Sequence, residues 1–310
     1  MLSVVQLIGR QRTRAEKGLQ KLLNQEISVP LEVILVDIEP TAPALPSSAD
    51  PRVRVIPKPG LRDYAAAMAV GASEAAGDYV AFIEDHCHAQ PGWAAAVVRD
   101  FERPVAMVNY SFMDTEPGSY LSRSFLMAEY GRWLHPTRPG PLPIASCANI
   151  SYRRDILMRL AKERPLEEWF QAEYVLHRRI QRDGGVIWQS TDAVAAHEDW
   201  VTLSGGLFAN GALKRYHAAA VAFGNPPWSL LRRCAYAAGM LVVPGLQMWR
   251  LLRSIIPRPR HWGHFISALP VSLAVYTYAA AAEAVGYLMG PGDSGEQFVA
   301  VELELARKQN

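Results

Sequence analysis

Residues 77–93 read GDYVAFIEDHCHAQPGW. The run DYVAFIED is a strand that closes on acids, and the Pro-Gly-Trp after it marks a turn. Upstream, LEVILVD (31–37) is a buried strand that also ends in an acid, and Ser3–Ile8 is a first strand. Between them RAEKGLQKLLNQ places Ala15, Leu19, Leu22 and Leu23 on one helical face. The Pro-rich loop EPTAPALPSSADP leads to a short third strand, RVRVIP, and then to the helix RDYAAAMAVGASEAAG. Strand-like and helix-like stretches keep alternating to about residue 200, the pattern of an α/β domain with a mixed, mostly parallel sheet flanked by helices. Open α/β sheets bind ligands in the crevice at the carboxyl ends of their strands. Asp37 and the group Glu84, Asp85, His86 would line such a crevice. The competing reading of each acid is a solvated loop residue or a helix cap.

With 310 residues, half of them apolar, the chain can bury a large core. A formal charge of +2 offers no concentrated basic face, so nucleic acid is not expected as a partner. Cys87, Cys147 and Cys234 are too few and too scattered for a disulfide framework or a zinc cluster, which favours a reducing compartment. The apolar stretch before Arg10 is too short for the core of a signal peptide.

The order and spacing of these pieces resemble the family 2 glycosyltransferases of GT-A fold, over roughly residues 3–200. GDYVAFIEDHCHAQPGW resembles that family's Gly-acid, strand, DxD-type metal motif and Pro-Gly-Trp turn. SCANISYRRDIL resembles its acceptor-side segment, and QAEYVLHRRIQRDGG its helix bearing the catalytic base. Where the family has a pair of acids after the second strand, this chain has Asp37 followed by Ile38. The Arg-Asn of the following helix is replaced by Met68 and Ala69, DxD by Glu84, Asp85 and His86, and the acid pair of the base helix by Ala172 and Glu173.

The resemblance implies an inverting, single-displacement transfer from a nucleoside-diphosphate sugar, a UDP-sugar first. The departing diphosphate needs its growing charge stabilised, which a divalent cation does. Glu84 and His86 alternate along an extended chain, so they share a side while Asp85 points away or toward the ribose. The metal ligands are expected to be His86, Glu84 and His197, which closes the apolar run AVAAH; His88 offers a second imidazole. Imidazole suits Mn²⁺ better than Mg²⁺. Glu173, near the start of a helix whose dipole favours its ionised form, is the expected base for the acceptor hydroxyl. Asp37, Arg62, Glu84, Asp85 and Asn149 are the expected contacts of the nucleotide sugar.

After residue 226 the composition shifts. Two long apolar stretches are separated by a basic segment with prolines, and Trp228, Arg232, Arg233, Trp249, Arg250, Arg253, Arg258, Arg260 and Trp262 stand at their edges. These types gather at a cytoplasmic membrane face. The expected division is a catalytic domain 1–205, a linker or interfacial helix 206–227, membrane-associated helices 228–292 lying in or dipping into the inner leaflet, and an exposed tail 293–310; for the helices, a membrane-crossing hairpin and a soluble subdomain or dimer interface are the alternatives. An acceptor that is lipid-linked, or an envelope polysaccharide, follows from that location. A nucleotidyltransferase and a degenerate transferase domain acting as a membrane-bound assembly partner are the alternatives; against the first, no Gly-rich basic phosphate loop follows the opening strand.

Overall fold

A computed structural model describes residues 1–115 and 118–304. Its strands are β1 (Leu2–Ile8), β2 (Leu31–Asp37), β3 (Val53–Pro57), β4 (Tyr79–Phe82), β5 (Cys87–Ala89), β6 (Met107–Asp114), β7 (Gly140–Pro141), β8 (Ile150–Arg153) and β9 (Ile187–His197). The α-helices are α1 (Arg12–Leu23), α2 (Tyr64–Glu74), α3 (Trp93–Phe101), α4 (Tyr120–Tyr130), α5 (Arg154–Leu160), α6 (Leu166–Phe170), α7 (Glu173–Arg182), α8 (Leu203–Phe223), α9 (Leu230–Gly239), α10 (Val243–Ile255), α11 (Trp262–Met289) and α12 (Ser294–Val299). The chain divides into two compact units. Among the described residues, the first holds Met1–Met113, His135–His197 and residues 303–304, and the second residues 114–115 and 118–134 and Glu198–Glu302.

The first unit is built on one mixed sheet in the order β3-β2-β1-β4-β8-β6-β9-β5, with β7 paired to β9. Every residue of β1 is buried, because the strand is central and covered on both faces. It runs parallel to β2 and β4, pairing Ile8 with Asp37 and Val5 with Phe82. The carboxyl ends of β1, β2 and β4 therefore reach one rim, where Asp37 and Glu84 stand. From β4 onward pairing turns antiparallel, through β8 and β6. Beyond β4 the chain returns as β5, which pairs antiparallel with the end of β9 and sets Cys87 opposite His197.

Helices cover the sheet with small and aliphatic side chains. α1 buries Ala15, Leu19 and Leu22, as its spacing predicts. α2 is capped by Asp63, whose carboxylate accepts from the Ala66 amide at 2.9 Å. Gly92 has a φ of 83°, which the turn before α3 requires, and Trp93 is then fully buried under Tyr110. Gly71 of α2 lies so close to β1 that a Cβ would overlap the side chain of Val5.

The second unit is helical. α11 buries Phe265, Val271, Val275 and Tyr287 along one side, and a core forms from Phe125, Trp200, Ala209, Val271 and Val275. α11 with the turn before it, Pro259–Met289, is long and apolar enough to cross a membrane by length and composition. The stretch 206–227 falls largely in α8, which buries Gly206, Ala209, Ala212, Tyr216, Ala218 and Ala222. α9 and the turn after it leave Leu230, Leu231, Leu241 and Val242 exposed. The expectation of an exposed tail from residue 293 does not hold over its described part. Phe298, Val299, Val301 and Leu303 are all at most 5% exposed, because their apolar side chains gain more from burial than the short segment loses in entropy. Residues 305–310 lie outside the described residues.

Replacing Gly71 by alanine adds helix propensity but forces a methyl into Val5. We expect Gly71→Ala to lower unfolding stability by about 1–3 kcal/mol, read as a lower urea midpoint at unchanged slope.

Candidate active site

Glu84, His86 and His197 converge at the rim of the sheet, and their ligand atoms all lie within 4.8 Å of one another. One oxygen, Glu84 Oε2, stands 3.4 Å from His86 Nε2 and 3.4 Å from His197 Nε2. The two imidazoles meet edge to face with ring centroids 4.8 Å apart. Donors bound at ~2.1 Å to one ion sit up to ~4.2 Å apart, so this trio needs only a small contraction to hold one. Burial opposes ionisation of Glu84, but His86 and His197 outweigh it and hold the carboxyl well below the usual range. An anionic oxygen between two imidazoles is a donor set suited to a first-row divalent cation. The β5–β9 pairing brings His197 to the group, since it fixes His197 across from Cys87, the neighbour of His86. His88 lies one position further along β5, opposite Ala196, and is not one of the three.

Asp85 turns away from the trio. Its carboxylate pairs with the buried Arg14 guanidinium at 2.9 Å and contacts His86 Nδ1 at 3.2 Å. A buried acid of this kind is tolerated because a cation and hydrogen bonds replace its water. The ion pair ties α1 to the loop after β4, and Asp85 meets the Nδ1 edge of the His86 ring while Nε2 faces Glu84.

Asn149 locks Glu84 from the other side. The Asn149 amide donates to Glu84 Oε2, and the Glu84 backbone N–H donates to Asn149 Oδ1 at 3.0 Å. The preceding Ala148 has a φ of 64°, a left-handed conformation that costs alanine roughly 1–2 kcal/mol. That twist aims its amide at Glu173 Oε2, 2.9 Å away. Two consecutive residues thus tie the cation trio to the candidate base.

Glu173 opens α7 and is buried. Tyr152 donates to its Oε1 at 3.2 Å. The helix dipole was expected to favour the ionised form, yet the carboxyl is pushed up to about 8. Burial is the largest cause, assisted by the charge of Glu84, and it outweighs the donors Ala148, Tyr152 and Cys147. At neutral pH the group is mostly protonated in the free protein.

Asp37 ends β2 as expected, and Arg12 holds both of its oxygens, at 2.9 and 3.0 Å. Arg62 is exposed on the loop before α2 and reaches Glu39 at 3.4 Å, so it stands beside Asp37's loop rather than on Asp37. Met68, which stands where the resemblance has an arginine, is 2% exposed in the core. Arg12, Arg14, Tyr152 and His177 also belong to this neighbourhood, beyond the residues expected from the sequence. GRQRTR could have signalled the first two, as cations just beyond the opening strand where acids from two other strands end.

A mixed sheet with acids and imidazoles gathered at one rim is an arrangement of GT-A type. The sequence model of the glycosyl transferase family 2 matches residues 12–161. The chain carries a family 2 glycosyltransferase domain and is a glycosyltransferase that uses a nucleotide-sugar donor. No curated protein matches the sequence. Among solved structures, the chain is similar to the mannosyltransferase PcManGT from Pyrobaculum calidifontis, in complex with GDP-Man and Mn²⁺. The two share 14% identity with a TM-score of 0.54, over 90% of this chain and 85% of that one. S. aureus TarS 1-349 matches at 12% identity and a TM-score of 0.46, over 94% of this chain and 90% of that one. A mycobacterial protein matches at 16% and 0.45, over 71% and 73%.

Because the Glu173 carboxyl is raised in the fold, its contribution to stability is complete below the ordinary value of 4.5 and is lost as pH climbs to about 8. Glu173→Gln removes that dependence. Its thermal midpoint is expected to gain on the parent as pH rises from about 4.5 to about 8, with a constant gap above. A gap independent of pH would contradict the burial of an ionisable Glu173.

Proposed function

We propose that the protein transfers a sugar, with inversion, from a nucleoside-diphosphate sugar to a lipid-linked acceptor or an envelope polysaccharide at the cytoplasmic face of a membrane. The observation that carries the reading is the gathering of Glu84, His86 and His197 around one point, with Glu173 joined to them through Ala148 and Asn149. A divalent cation on the trio, Mn²⁺ before Mg²⁺ because two of the donors are imidazoles, would neutralise charge growing on the departing diphosphate. Asp37, held by Arg12, receives the nucleoside at the end of β2, with Arg62 at the outer edge of that loop. Glu84 and Asn149, locked together, form the floor beneath the donor sugar, and Asp85 holds His86 in place.

Transfer then requires one displacement. The acceptor hydroxyl gives its proton to the Glu173 carboxylate, its oxygen bonds to the anomeric carbon, and the bond from that carbon to the diphosphate breaks. The nucleoside diphosphate leaves with the electron pair. Glu173 serves only in its ionised form, so turnover in the free-enzyme limit rises with pH through about 8. UDP-sugars are the first donors to test, and the GDP-Man held by PcManGT makes GDP-mannose the second.

The membrane reading rests on α9 and α10. Leu231 is 81% and Leu241 87% exposed, and Val242, Leu246 and Trp249 continue the apolar surface. Arg232, Arg250 and Arg253 stand exposed among them, and Arg232 lies 4.0 Å over the Trp228 ring. Apolar side chains that enter the acyl boundary beside arginines that meet anionic headgroups describe a helix pair lying on a lipid surface.

With Mn²⁺ and a panel of nucleotide sugars, Glu173→Gln should lose about 100- to 10,000-fold in turnover while still binding donor. His86→Ala should raise the Mn²⁺ needed for donor binding about tenfold or more. Retained turnover in the first variant would remove Glu173 as the base, and unchanged metal dependence in the second would remove His86 as a ligand.

The protein is also expected to sediment with vesicles containing anionic phospholipid. Leu241→Asp with Trp249→Asp should reduce the bound fraction without altering donor binding; absence of vesicle binding by the parent would end the membrane reading.

A further inference from the structure

Three side chains form a continuous hydrogen-bonded line behind the site. Glu173 and His177 lie one turn apart on the same face of α7. Tyr152 enters from β8 between them, its hydroxyl 3.2 Å from Glu173 Oε1 and 2.8 Å from His177 Nε2. All three are buried, Tyr152 completely. Nothing in the transfer step uses His177 or Tyr152, and burial of such groups is costly unless they are bonded.

With Glu173 ionised, the form in which it would act as base, hydrogen counting fixes the direction of the line. An ionised carboxylate only accepts, so the single hydroxyl proton of Tyr152 goes to Glu173. The Tyr152 oxygen is then left to accept, and His177 must carry its proton on Nε2 and donate it. His177 is suited to this, because burial lowers its pKa to about 3 and keeps it a neutral imidazole with one N–H. The phenol stays protonated as well, since burial, and after it the charge of Glu173, raises its pKa well above the ordinary value. Both partners are therefore locked as donors toward the carboxylate. Oε2 is held separately by the Ala148 amide.

We propose that Tyr152 and His177 are positioning residues for the base, with His177 donating to Tyr152 and Tyr152 donating to Glu173, so that one carboxylate oxygen is anchored and the other faces the acceptor edge held by Ala148. This rests on the reading of Glu173 as the base. The groups that face Glu173 are Tyr152 from β8, Cys147 and Ala148 from the loop before β8, and Glu84 from beyond β4, while His177 from its own helix meets Tyr152. The first three favour the ionised form. Glu84 opposes it. Loss of Tyr152's hydroxyl therefore leaves the carboxylate less well held and harder to ionise.

The test uses the full-length protein in the transfer assay, with donor binding and thermal unfolding measured in parallel. Tyr152→Phe should lower kcat about tenfold, the cost of one hydrogen bond to a charged group. The donor KM should stay within about twofold, and the rising limb of the pH profile should move to higher pH. His177→Leu should shift the limb the same way by less, and His177→Gln, whose amide can donate from the place of Nε2, should restore most of the loss. A folded Tyr152→Phe protein with parental kcat and an unmoved pH limb overturns the proposal. If His177→Leu fails to fold, Tyr152→Phe and His177→Gln still decide it. Should Glu173→Gln itself keep full turnover, the base assignment falls instead, which separates the two outcomes.

Discussion

The reciprocal hydrogen bonds between Glu84 and Asn149 are the constraint from which the rest of the site follows. They sit just past the Phe82–Ile150 pair, where parallel β4 meets antiparallel β8. A parallel sheet alone would end in a crevice with acids on one side. The antiparallel addition closes the other side, and the side-chain lock makes β4's acid and β8's entry segment one rigid object. Ala148 accepts an unfavourable backbone conformation within that object, which places an amide on Glu173. Strain of this size persists only where surrounding bonds overdetermine it.

Charge is distributed unevenly around this lock. Asp37 and Asp85 each carry an arginine, and Glu84 carries two imidazoles. Glu173 alone faces no cation among its described contacts and depends on neutral donors. Against its burial, Glu84 is held well below the usual carboxylate range by His86 and His197, while Glu173 is pushed up to about 8, chiefly by burial. Acids near one another at this end of the sheet thus differ in proton affinity because their surroundings differ.

The second unit has a different kind of surface. Its core residues follow ordinary helix packing, with α11 buried along one side. α9 instead has no buried residue, although its sequence is rich in leucine, alanine and tyrosine. In water such a surface is a liability, and next to arginines it is the composition expected at a lipid boundary.

The sequence by itself determined the strands, the helices between them and the acids at the strand ends, because those depend on local periodicity and on turn residues such as Pro91 and Gly92. It also placed Glu84, His86, His197 and Glu173 as chemistry-bearing residues. It could not show that His197 returns to His86, since that depends on β5 pairing with β9 across a long stretch of chain. Nor could it show that Arg12 and Arg14 are consumed by Asp37 and Asp85, or that Tyr152 stands between Glu173 and His177. The protonation of Glu173 reversed the expectation drawn from its helix position, because a helix end is a local property and desolvation is set by everything packed around it. Local chemistry belongs to the sequence; which groups share a cavity, and at what cost in lost water, is decided only when distant segments close over them.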